Sequence, residues 1–167
     1  DSGNVKIGVP TITTTLRGLV DGIIEVDQPM RPIHSGVGGG VVPDAFMVLS
    51  RIISSFHDDK GNLMIEGLTS TDMKVTELEE SFLKKMLGSD DIALFDTESI
   101  SKRLWLEPAL DVLAIDAPPV KEAVNLVIPK ARAKVSLRLP PTEDPDHAMK
   151  MLEAVSYTHL RAHETLD

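Results

Sequence analysis

Apolar and polar positions alternate soon after the N-terminus. Val20, Ile24 and Val26 fall on one side and Asp21 and Glu25 on the other, which predicts a half-buried strand ended by Pro29 and Pro32. The period then changes. Ala45, Leu49, Ile52 and Phe56 recur at helical spacing behind Pro43 and Asp44, residue types that open helices, and "DDKGN" at 58–62 reads as the turn that ends that helix. Residues 63–68 read as a short strand. A second helix is expected where Thr76 and Glu79 have the spacing of a capping box, with Val75, Leu78, Phe82 and Met86 as its stripe and Gly88 as its stop. "ALDVLAI" at 109–115 reads as a buried strand. "ARAKVSLRL" at 131–139 alternates cleanly, with Ala133, Val135, Leu137 and Leu139 inward and Lys134, Ser136 and Arg138 outward. In "DPDHAMKMLEAV", Asp144 is the expected N-cap and Pro145 the first helical residue, with Ala148, Met151 or Leu152, and Val155 facing in.

Strand, helix, an inserted helical stretch, strand, strand and helix, in that order, predict an α+β domain: an antiparallel sheet with helices packed on one face. Such a sheet leaves an edge strand able to pair with a second copy of the chain, so a dimer is expected. Residues 1–16, "DSGNVKIGVPTITTTL", carry Gly and Pro breaks and a Thr run and suit an extended connector. "SYTHLRAHETLD", residues 156–167, does not continue the apolar stripe; it has the look of a cloning or adapter-derived tail and is set aside from fold and site reasoning.

Composition narrows the function classes. With 167 residues, 42% hydrophobic and 26% charged, the chain can build one domain with a real core. A net charge of −9 and a single Trp and Tyr argue against a nucleic-acid partner, which would need a basic stripe or stacking aromatics. The absence of cysteine excludes disulfides, thiolate metal sites and thiol catalysis. No apolar run reaches the roughly eighteen residues of a membrane span.

The chemistry-bearing stretch is "RPIHSGVGGGVVPDAF", in which His34 stands at the head of a glycine-rich loop. "GVGGG" lacks the Lys-Ser/Thr of a phosphate-binding loop and the strand–GxGxxG–helix context of a dinucleotide site. His34 has no second His, Asp or Glu at ligand spacing, and His57 with Asp58 and Asp59 lies a helix away. On the residues alone, His34 as a turn cap beside permissive glycines competes with a histidine that serves a site outside its own domain.

Resemblance adds to this. The segments "LRGLVDGIIEV", "HSGVGGGVVPDA", "SISKRLWLEPALDVLAIDAP" and "NLVIPKARAKVSLRLPPTEDPD" come in an order that resembles the lid, or dimerisation, domain of the zinc-dependent exopeptidases that include aminoacylase, carnosinase-type dipeptidases and succinyl-diaminopimelate desuccinylase. The resemblance covers residues 1–155 and implies a ferredoxin-like lid, residues 17–155, with a four-stranded antiparallel sheet and two main helices on one face. It implies a cytoplasmic homodimer, and zinc held in a separate catalytic domain where water attacks an amide carbonyl; no zinc is expected on this chain itself. It assigns His34 to the developing oxyanion, in the partner subunit's site, and Arg138 and Asn125 to the carboxylate of a peptide or N-acyl amino acid. Asp1 matches a zinc ligand at the end of the catalytic domain's first part and would be an orphan here. The H-x-D ligand, the Glu-Glu pair and the final ligand histidine of that domain are absent, so the isolated chain is expected to be inactive. The rival readings are a free-standing α+β interaction or ligand-sensing module and a self-contained hydrolase; the latter lacks a visible nucleophile–base pair or metal cluster.

Overall fold

A computed structural model of the chain describes Gly8, Pro10 and residues 12–164, with side chains as far as Tyr157. Strand β1 (Gly18–Asp27) pairs antiparallel with β5 (Lys130–Leu139), and β5 pairs antiparallel with β3 (Ala109–Asp116), giving a three-stranded sheet of order β1-β5-β3. The two-residue strands β2 (Ile33–His34) and β4 (Leu126–Val127) form a separate ribbon. The sheet is therefore three-stranded where the resemblance implies four. The last described element is the helix α5 (Pro145–Glu164).

The expected alternation fixes the faces. Ala133, Val135, Leu137 and Leu139 of β5 and Ile24 and Val26 of β1 are buried. Helix α2 (Ala45–Ser55) covers them with Ala45, Leu49 and Ile52, and Phe56 at its C-cap is 0% exposed. Asp44 opens α2 by accepting a hydrogen bond from the Met47 N–H at 3.0 Å. Helix α5 completes the layer with Ala148 and Leu152, packs on β1 and α2, and starts at Asp144, which accepts from the His147 N–H at 2.8 Å. The helix runs without a break through residues 156–164, past the boundary expected for a tail. Among the described residues no helix is long and apolar enough to cross a membrane.

Three segments depart from the sequence reading. Strand β3 is an exposed edge rather than a buried strand. Only Leu110 is buried, while Val112, Leu113 and Ile115 face solvent around a bulge between Val112 and Ala114. Helix α3 starts at Glu80, later than expected, and buries no residue; Met86 is exposed. The Thr76–Glu79 box does not form, because this segment is used by another helix. Glu77 accepts from Ser99 Oγ and the Ser101 N–H at the start of α4 (Ile100–Trp105), and buried Ser101 donates to the Thr76 carbonyl. Gly88 does close α3, in the left-handed region at φ 80°. Residues 63–68 form no strand, only an isolated bridge between His57 and Leu63.

Candidate functional site

The glycine-rich loop is built by its backbone. Strand β2 leads into a single turn, α1 (Ser35–Gly38), and His34 is its N-cap: the imidazole Nδ1 accepts from the Gly36 N–H at 3.0 Å. The ring therefore caps a turn, as one of the alternatives required. That bond also decides the tautomer. With Nδ1 an acceptor, the proton of the neutral ring sits on Nε2, leaving an outward N–H donor on an exposed side chain. The glycines are steric necessities here. A Cβ on Gly39 would run into the carbonyl oxygen of Ser35, and Gly40 stands at φ 80°.

Asn125 lies beside this turn. The ribbon pairs His34 with Leu126, and the Ser35 N–H donates to the Asn125 carbonyl at 2.9 Å. Its side chain is exposed and makes no hydrogen bond among the described residues. Ala45 N–H donates to the Ile128 carbonyl at 3.0 Å, so the base of α2 holds the ribbon in place. His34 and Asn125 thus form one pair, on the ribbon attached to the Lys130 end of the sheet.

Arg138 lies at the other end. Lys130 and Arg138 are separated by eight residues of extended strand at roughly 3.3 Å each, or about 26 Å. The exposed side of β5 carries Lys130, Arg132, Lys134 and Arg138 in alternation. Lys130 is opposite Asp27 and pairs with it and with Glu25, both at 2.9 Å; Arg132 is opposite Glu25 and Asp116 and pairs with Asp116; Lys134 reaches Asp21 at 3.2 Å. Arg138 is opposite Leu19 and Ala109, neither of which can take its charge. It makes no ion pair and no side-chain hydrogen bond among the described residues. Hydrogen bonds from Ser136 and Lys134, helped by the Lys134 and Arg138 charges, hold the Asp21 carboxyl below its usual range.

Arg17, which the sequence reading did not single out, stands next to this end. Its Nη1 donates to the Leu104 carbonyl at 2.5 Å and its Nη2 to the Glu107 carbonyl at 3.0 Å, while its Nε is buried without a partner. No periodicity marks it, since its partners are backbone atoms some ninety residues away. A cleft of about 740 Å³ opens between the inserted segment and β3, lined among others by Arg17, His57, Phe95, Arg103 and Asp111; His34, Asn125 and Arg138 are not part of its wall. Arg103 lies 5.0 Å over the Phe95 ring.

The described residues do not fit a metal. No group of three or more His, Cys, Asp or Glu side chains among them is placed to hold one, and the Asp58 carboxylate near His57 is bound to Asn62 and to the Lys60 N–H. Asp1 lies outside the described residues.

A family model described as a peptidase dimerisation domain, M20_dimer, matches residues 14–164. The chain is 37% identical over 157 residues to a cysteinylglycine-S-conjugate dipeptidase of Corynebacterium striatum, covering 92% of this chain and 34% of that protein. It is 27% identical over 165 residues to a Cys-Gly metallodipeptidase of Saccharomyces cerevisiae, covering 91% and 34%. The chain thus spans about a third of the length of the curated relatives it matches. Among solved structures, human carnosine dipeptidase 1 superposes with a TM-score of 0.78 at 21% identity, covering 99% of this chain and 38% of that one. An M20 family metallo-carboxypeptidase of Sulfolobus solfataricus superposes at 0.76 with 23% identity, covering 95% and 44%. Both likenesses show the fold.

Proposed function

Since the chain belongs to the M20 peptidase dimerisation domain family, we propose that it is the lid and dimerisation domain of a cytoplasmic zinc-dependent dipeptidase or related amidohydrolase. Its substrates are peptides or N-acyl amino acids with a free carboxylate. The zinc belongs to a catalytic domain outside this chain. In this reading His34 donates from Nε2 to the oxygen that gains charge as the amide carbonyl is attacked, Arg138 grips the substrate carboxylate in a forked pair, and Asn125 donates to the same carboxylate.

One observation carries the reading furthest: the separation of the two poles. A dipeptide spans about 7 Å, whereas the Lys130 and Arg138 ends of β5 lie about 26 Å apart. In this reading one lid does not bring His34 and Arg138 to one dipeptide, whereas two lids related by a dimer axis do. His34 and Asn125 of one copy then serve the centre to which the other copy contributes Arg138. The exposed edge of β3, with Val112, Leu113 and Ile115 open to solvent, supports pairing with a second copy.

In the full-length enzyme, His34→Ala is expected to lower kcat by about 100-fold or more, as loss of an oxyanion donor does. Arg138→Ala is expected to raise KM for substrates with a free carboxylate. Full activity in both variants would overturn the site assignment.

A further inference from the structure

We propose that Arg17 is a positioning residue for Arg138: its guanidinium occupies the carbonyls at the end of α4 and leaves Arg138 unpaired and outward, ready for a carboxylate. This rests on the reading of Arg138 as the carboxylate-binding group.

The register places the two side by side. Leu19 is opposite Arg138, and Arg17, two residues earlier with the parity of exposed Leu19 and Asp21, is its diagonal neighbour across the β1–β5 ladder. From there Arg17 extends past the end of the central strand to Leu104 and Glu107, the segment that leads into β3 at Ala109, which is the other residue opposite Arg138. The Leu104 and Glu107 carbonyls both accept from Arg17. Asp21 is bound by Lys134 and Ser136 and also feels the Arg138 charge, and neither it nor Asp111, on the same exposed face, forms an ion pair with Arg138 among the described residues.

Charge acts in the same direction. Burial and the Arg138 charge both push the Arg17 pKa down, with Asp111 opposing them, so the two guanidinium groups feel each other. Repulsion from a tethered cation drives a mobile one outward. An incoming carboxylate on Arg138 relieves that repulsion and is attracted by both charges. The buried, unpartnered Nε of Arg17 shows that this side chain is held where it is by its two carbonyl bonds and not by full satisfaction of its donors.

Arg17 also caps the last turn of α4, so the test must separate positioning from support of the fold. In the full-length enzyme, with a dipeptide substrate, Arg17→Gln is expected to raise KM about tenfold with kcat nearly unchanged, and Arg17→Lys to raise it less. In an Arg138→Ala background the same Arg17→Gln change is expected to move KM by less than about twofold, because the group it acts through is gone. An equal effect in both backgrounds, a fall in kcat at constant KM, or no effect where Arg138→Ala alone raises KM would overturn the proposal for Arg17. Unchanged KM in Arg138→Ala itself would instead remove the carboxylate reading on which it rests.

Discussion

In the proposed function His34 uses its two nitrogens for different purposes, and two substitutions can separate them. Nδ1 accepts from the Gly36 N–H at 3.0 Å and caps α1; Nε2 carries the outward proton. His34→Ala removes both functions. Loss of an N-cap costs about 1 kcal/mol, and here that cost falls on a four-residue turn, so the loop should loosen more than the domain. Loss of an oxyanion donor costs about 2.7 kcal/mol or more in the transition state, a factor of about 100 in kcat. His34→Asn supplies a side-chain oxygen at the cap, where Asn ranks among the best residues, but has no donor at the reach of Nε2. The expected pattern is that Asn restores most of the amide protection of Gly36 and its neighbours, read by hydrogen exchange, while kcat remains as low as in the Ala variant. Steady-state kinetics on the full-length enzyme and exchange on the same samples would read both. If His34→Asn kept wild-type kcat, or if Ala and Asn lost kcat in proportion to lost protection of the turn, the imidazole would be a cap and nothing more.

Two other outcomes follow from packing and charge. Leu137→Ala, in the centre of the sheet at 0% exposure, is expected to cost 2–5 kcal/mol, whereas Met86→Ala on exposed α3 should stay within about 0.5 kcal/mol; thermal or denaturant unfolding compares them directly. Burial pushes the Glu143 carboxyl up, but hydrogen bonds from His147 and Thr69 outweigh it and leave its pKa below the usual range. A lowered folded-state pKa gives stability that is present above the unfolded carboxylate range and is lost as pH falls through the folded value. Glu143→Gln should therefore flatten the acid limb of the stability–pH profile, and an unchanged limb would count against this latch.

The parts of the fold legible in the sequence were those where one physical rule acts alone. The inward set Ala133, Val135, Leu137 and Leu139 follows from period two, and Ala45, Leu49, Ile52 and Phe56 from period 3.6, because burial against the opposing layer dominates both. The Thr76–Glu79 box misled because Glu77 and Thr76 are claimed by Ser99 and Ser101, more than twenty residues away in the chain. "ALDVLAI" is apolar enough for a buried strand, but sheet order made it an edge, and order is not a local property. At the site, the outward direction of Arg138 was readable from alternation, and the juxtaposition of Asn125 with His34 was not, since it depends on a two-residue ribbon. Arg17 left no trace in the pattern because it bonds only to backbone carbonyls.

The central claim, that each active centre draws His34 from one copy and Arg138 from the other, is tested most directly by mixing subunits. His34→Ala and Arg138→Ala enzymes, each nearly inactive at a substrate concentration well below the raised KM, are dissociated together and reassembled in equal amounts. Random reassortment gives half heterodimers, each with one complete centre, so activity should rise to about a quarter of wild type. Activity that stays at the mean of the two parents would mean that both residues act within a single chain, and the shared site would be contradicted.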